Sequence, residues 1–141
     1  MVLHPGAGSA HKRWPVEGFA TAAGALRRAG SLAVAVHWGP ADAGAAAALA
    51  GAIGSDVHVL REPSLLTLAG ALAAAALYLG NDSGVSHLAA AAGAPSVVLY
   101  TPALVGWRPW ALHPRVLVVS TRQTVAAEVE KVIDSARAAM A

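Results

Sequence analysis

Cysteine is absent from the 141 residues. That excludes disulfides and thiolate metal sites, and it fits a reducing compartment. Charge is scarce: Asp, Glu, Lys and Arg together make up 13% of the chain, and the formal net charge is +2. Basic residues never run together beyond the pairs Lys12-Arg13 and Arg27-Arg28. The basic stripe that nucleic acid demands is therefore missing, and no nucleic acid partner is expected. Long unbroken apolar runs are also missing. The two greasiest stretches, 64–80 and 87–105, are cut by Asn81-Asp82 at the end of the first and by Gly93, Pro95 and Pro102 in the second. A membrane span needs roughly 20 unbroken apolar residues, so both read as buried helix–strand pairs and no transmembrane segment is expected. The opening Met1-Val-Leu-His-Pro has no basic segment leading into an apolar one and does not read as a signal peptide.

What the chain does have is alanine. Hydrophobic residues reach 56%, much of it alanine, which suits helices packed closely on something else. At this length one domain with a real core is expected. Strands are predicted at 1–4, 32–36, 57–60, 77–80, 96–100 and 116–120. Helices are predicted from Trp14-Pro15 to about Arg28, over 42–52, from an N-cap at Ser64 to about Ala74, over 85–92 and over 124–139. Six strands alternating with helices argue for an α/β domain, with a six-stranded parallel sheet covered on both faces. Neither an internal repeat nor a linker is visible. Ligands of such sheets sit beyond the carboxyl ends of the strands. The unusual residues fall there: 6–12, 37–42, 61–62, 81–87 and 101–110.

Two of these stretches carry chemistry. In 79–88, Leu-Gly-Asn-Asp-Ser-Gly-Val-Ser-His-Leu, an apolar strand stops in a polar turn and opens a helix. Helix amides and the positive end of the helix dipole then face a ligand, which suits an anion. Ser83 and the amides of Ser83 and Gly84 are the expected phosphate donors. Ser83 and His87 are four apart and share a helix face. A protonated His87 would oppose the helix dipole unless an anion is bound. Asp82 would be repelled by phosphate, so it is expected to cap the helix or to bridge to Lys12 or a ligand hydroxyl. The second stretch, Gly6-Ala-Gly-Ser-Ala-His-Lys12, follows the first strand. It satisfies neither the P-loop, which needs glycine before the lysine, nor the dinucleotide fingerprint, which needs glycine where His11 stands. Gly6 and Gly8 still allow close backbone approach, and Lys12 brings a positive charge to the head of a helix.

Other readings are weaker. Ser, His and Asp occur together near Ser83 and His87, but too locally for a hydrolytic triad, and no nucleophile elbow is present. The six histidines, His4, His11, His37, His58, His87 and His113, lack metal-ligand spacing, so no metal is expected. His58 reads as structural within a strand. Trp14, Trp38, Trp107 and Trp110 read as packing or as a loop platform, with Trp38 and Trp107 placed where either would flank a base or sugar. A response-regulator or flavodoxin-like domain would want an acidic cluster or an FMN loop after the first strand, where this chain has 6–12.

Taken in order, His4-Pro-Gly-Ala-Gly-Ser, Lys12-Arg-Trp-Pro15, Trp38-Gly-Pro and Gly80-Asn-Asp-Ser-Gly-Val-Ser-His resemble the family 9 glycosyltransferases, the lipopolysaccharide heptosyltransferases and their relatives. The resemblance implies one Rossmann-like three-layer domain over 1–141, the C-terminal half of a GT-B fold. That half binds the nucleotide-sugar donor, such as ADP-heptose, as substrate and uses no cofactor. It implies that Lys12 contacts the donor diphosphate and that Ser83 and Gly84 bind phosphate. Asp82 and His87 would line the donor site, with Asp42 near the ribose. It also implies a cytoplasmic location, at the inner face of the membrane. The acceptor domain and its catalytic base are not matched, so no catalytic residue is expected here. The chain is expected to start at a domain boundary and to be inactive alone. The missing N-terminal domain, or a second copy covering the exposed cleft face around 102–110, is the expected protein partner. The rival expectation is a non-catalytic, Rossmann-like module binding a nucleotide or a partner chain. After the fifth strand, Thr101-Pro-Ala departs from the family's Gly-Pro-Thr.

Overall fold

A computed structural model describes residues 1–109, 114–118 and 126–141. Strands β1 (Val2–His4), β2 (Val34–Trp38), β3 (Val57–Arg61), β4 (Tyr78–Asn81), β5 (Ser96–Tyr100) and β6 (Pro114–Val118) alternate with helices α1 (Val16–Gly30), α2 (Ala43–Ile53), α3 (Leu65–Ala73), α4 (Gly84–Ala91) and α5 (Ala126–Met140). All neighbouring strands pair in parallel. The order across the sheet is β3-β2-β1-β4-β5-β6.

Period-two alternation divides the core. Leu3, Val36, Leu79, Val97 and Leu99 face one way and pack with Phe19, Leu26, Leu49, Val132 and Ile133 of α1, α2 and α5. Val2, Tyr78, Val98 and Tyr100 face the other way, against Leu68, Leu72 and Ala89 of α3 and α4. The apolar stripe of α1 thus forms one face of the core together with α2 and α5. Parallel α/β architecture is what the alternation of elements required.

Several boundaries moved, each for a local reason. β2 starts two residues later than expected, because α1 runs to Gly30 and Ser31 then takes a left-handed φ of 51°. Pro15 stands one position ahead of α1, as its N-cap residue. Ser64 caps α3 as expected, its hydroxyl accepting from the Thr67 amide at 3.1 Å. β6 begins at Pro114, a position where a strand tolerates the missing N–H. Ser120, Thr124, Trp110 and His113 lie outside the described residues. His58 was expected to be structural inside a strand, but β3 is an edge strand and His58 is exposed on it. Among the described residues, no helix is long and apolar enough to cross a membrane.

Trp14 joins α1 to α5. Its ring is 1% exposed and meets Phe19 edge-on at 5.3 Å. Its indole N–H donates to the buried Glu128 carboxylate at 2.9 Å. Trp14→Phe removes the donor while Glu128 stays buried. That substitution should cost about 3 kcal/mol in urea unfolding, with Glu128→Gln costing less because an acceptor remains. Equal stability of Trp14→Phe and the parent would contradict this role.

Candidate functional site

The strand order reverses between β1 and β4, and their pairing sets His4 beside Gly80. The two chemistry-bearing stretches therefore leave the sheet side by side. The first continues into a single 3-10 turn, Ala10–Lys12. The second enters α4. A cavity of about 760 Å³ opens between them. Of the residues singled out in the sequence, Gly8, Lys12, Asp42, Asp82, Ser83, Gly84 and His87 line it.

Lys12 reaches across 70 positions of sequence to Asp82, Nζ to Oδ2 at 2.8 Å. Bridging, rather than helix capping, is thus what Asp82 does. The N-cap of α4 is Ser83, and its hydroxyl makes no capping bond. It turns instead toward Ser86 at 3.4 Å. Ser86 donates to the Asn81 carbonyl at 2.6 Å and, with its proton so used, accepts from the Tyr78 hydroxyl at 2.8 Å. Tyr78 reaches Ser86 across Gly80, where an added Cβ would lie 2.2 Å from the phenol oxygen. Burial, above all, raises the Tyr78 phenol's pKa, so it stays a neutral donor. The first turn of α4 is left open toward the cavity, beside one ammonium. Chemically, such a pocket suits an anion.

Gly8 has open space around its Cα, so nothing in the protein forbids a side chain there. Gly6 lies beneath the cavity instead of on its wall. A Cβ on Gly6 would stand 2.1 Å from the Asp42 carboxyl carbon. Asp42 fills that space and approaches Arg13 at 3.5 Å and His4 Nε2 at 3.8 Å. His4 in turn meets His37, Nδ1 to Nδ1 at 3.0 Å, so one ring must donate there and the other accept. Burial, and then the neighbouring His37, push the His4 pKa down to about 3. His4 is neutral at ordinary pH, and its approach to Asp42 is not an ion pair.

His87 is exposed on the rim. Leu65, Leu68, Leu104 and Trp107 also line the cavity; Trp107 and the 101–110 loop were expected on this side, while nothing local in the sequence pointed to Leu65 or Leu68. Trp107 is 72% exposed, with its carbonyl held by the Tyr100 hydroxyl at 3.2 Å. Burial first, and Asp82's charge second, raise the pKa of that phenol. Trp38 does not line the cavity. It packs on the core with Arg61 stacked 4.0 Å over its ring. Among the described residues, no group of three or more His, Asp or Glu could hold a metal ion.

A larger cavity, about 1140 Å³, lies at the opposite, amino-terminal ends of β2 and β3. It gathers none of these residues, and its Arg27 is already paired with Asp56 at 2.6 Å. Chemistry, not volume, favours the smaller one.

The order of the sheet and a crevice at its switch point, with Lys12 and Asp82 in its lining, define a Rossmann-like domain. Over residues 1–136 the sequence matches the model of glycosyltransferase family 9 (heptosyltransferase), and the chain belongs to that family. No curated protein matches it. Among solved structures it is similar to the family 9 glycosyl transferase of Veillonella parvula, with 25% identity and a TM-score of 0.86. It is equally similar to E. coli ADP-heptose lps heptosyltransferase II, again with 25% identity and a TM-score of 0.86. E. coli heptosyltransferase WaaC with ADP follows, with 28% identity and a TM-score of 0.79. These likenesses cover 99%, 99% and 96% of this chain, but only 45%, 45% and 43% of the other chains. The chain thus spans less than half the length of the proteins it resembles.

Two outcomes follow from this geometry. Gly6→Ala should destabilise by roughly 2 kcal/mol in the parent and by less than about 0.5 kcal/mol when Asp42 is already Ala, because the clash is with that carboxylate. Equal costs in the two backgrounds would mean the clash is elsewhere. For His4, the folded pKa lies below the ordinary 6.5, so only the unfolded chain takes a proton just below that value. The neutral ring's stability is full above pH 6.5 and is lost as pH falls toward 3. Unfolding free energy should drop by about 1 kcal/mol between about pH 6 and about pH 5. His4→Leu should flatten that slope, and an unchanged slope would refute the assignment.

Proposed function

We propose that this chain is the donor-binding domain of an inverting, heptosyltransferase-like glycosyltransferase, the C-terminal half of a GT-B fold. In this reading the cavity takes the diphosphate of a nucleotide-sugar such as ADP-heptose. The observation that carries it is the meeting of Lys12 with the open first turn of α4 in one cavity. A leaving nucleoside diphosphate gathers negative charge as the bond to the sugar breaks. A fixed ammonium and helix-end amides stabilise that charge without reorganising. Related chains support the class of ligand: an E. coli heptosyltransferase is described with ADP and with ADP-2-deoxy-2-fluoro heptose.

Inverting transfer also needs a base on the acceptor hydroxyl. Neither acid of the cavity suits that task. Asp82 is held by Lys12, and Asp42 is wedged against Gly6 beside Arg13 and His4. In this reading the base belongs to an acceptor-binding half. Leu65 and Leu66, 70% and 85% exposed, and Trp107 form an apolar rim which that half, or a second copy, would cover. Such a protein works at the cytoplasmic face of the membrane, in lipopolysaccharide assembly.

Calorimetry with ADP, GDP and UDP tests the reading. ADP is expected to bind with a Kd on the order of 10⁻⁴ M, and Lys12→Ala should weaken it about ten-fold. Lys12→Ala also leaves Asp82 facing the ligand without its cation. The double variant with Asp82→Asn separates lost attraction from added repulsion. Failure of all three nucleotides to bind, or no effect of Lys12→Ala, would sink the proposal. Sugar transfer by this chain alone would contradict the assignment of the base.

A further inference from the structure

Asn81 does not line the cavity, yet it is fully buried immediately beside Asp82. Its carboxamide makes every one of its side-chain bonds to a single segment. Oδ1 accepts from the Trp14 amide at 3.0 Å. Nδ2 donates to the Pro5 carbonyl at 2.8 Å and to the Gly6 carbonyl at 3.4 Å. These partners bracket residues 7–13, the stretch that carries Gly8 and Lys12. One side chain at the end of β4 thus holds both ends of the loop whose lysine pairs with the next residue, Asp82.

The amide group itself is required. One acceptor and two donors in a planar fork match one N–H and two C=O groups. An ionised carboxylate of the same shape would accept from Trp14 but would face two carbonyls with no proton to give. An apolar side chain would leave all three backbone groups without their partner. A buried Asn that merely satisfied a turn would have no reason to span both flanks of the site's cation from a position 67 and 76 residues away.

We propose that Asn81 is a positioning residue of the site: its carboxamide fixes where the Lys12 ammonium stands relative to Asp82 and the start of α4. The part of this inference that concerns ligand affinity rests on the diphosphate reading above. The part that concerns Lys12 itself does not.

The test has two arms, on Asn81→Asp and on Asn81→Ala, which leaves space for water in place of the carboxamide. The first needs no ligand. The chain has only two lysines, Lys12 and Lys131, so proton–nitrogen NMR of the ammonium groups gives two signals, assigned with Lys12→Arg. In both Asn81 variants the Lys12 signal should move toward its position in Asp82→Asn, where the counter-ion is gone. A Lys12 signal that stays at the parent position overturns the proposal. In the second arm, ADP affinity is compared with and without Lys12→Ala. The substitution should cost about ten-fold in the parent and less than about two-fold in the Asn81 variants. The same factor in both backgrounds overturns the positioning role even though the nucleotide reading stands. Absence of ADP binding by the parent would strike the nucleotide reading alone, and the NMR arm would still decide the role of Asn81.

Discussion

The parallel pairing of β1 with β4 is the constraint on which the remaining features depend. Two strands more than 70 positions apart lie in register, Val2 with Tyr78, Leu3 with Leu79 and His4 with Gly80. Their first residues are fixed by burial on both faces, since a slip of one residue would exchange the two halves of the core. That register decides where both strands end, and so where both chemistry-bearing turns begin. With His4 beside Gly80, the loop after β1 and the turn before α4 have nowhere to go but toward each other. Lys12 meets Asp82, and Asn81 meets Pro5 and Trp14, as consequences.

Much of this was legible from the chain alone, for physical reasons that differ between elements. Alternating short apolar runs and alanine-rich segments specify a parallel α/β sheet almost independently of side-chain detail. Ser64 announced α3 because capping is local chemistry, settled by its bond to the Thr67 amide. The cavity's cation and its helix start were visible as Lys12 and Ser83-Gly84 because both sit within a few residues of a strand end. What the sequence hid is non-local. Asn81 looks like one more polar turn residue, and its partners are 67 and more positions away. Gly6 reads as room for a ligand, while in the fold that room is taken by Asp42. Trp38 and Trp107 are indistinguishable in sequence, both aromatic and both in ligand-side segments. Only the packing shows that Arg61 covers the first and the cavity receives the second. His58 was misjudged because order across a sheet, which makes β3 an edge, is not written in the order along the chain.

The electrostatics of the site follow a single theme, of charges held and none spare. Lys12 is paired, Asp42 is hemmed in by Arg13 and His4, and the two central histidines are kept neutral or nearly so by burial. A pocket built this way offers fixed dipoles and one shared ammonium, with His87 exposed on its rim. Such a pocket suits a charged group that needs neutralising, which is the part of a transfer reaction proposed for it above.

The most direct measurement is a crystal structure of the chain soaked with ADP. The account predicts the two phosphates in the cavity between β1 and β4, within hydrogen-bond reach of Lys12 and of the first amides of α4, with the adenosine toward Leu65 and Trp107. Phosphates found instead against Arg27 and Arg28 at the other end of the sheet, or ADP lying in the predicted cavity with its phosphates turned away from Lys12, would contradict it.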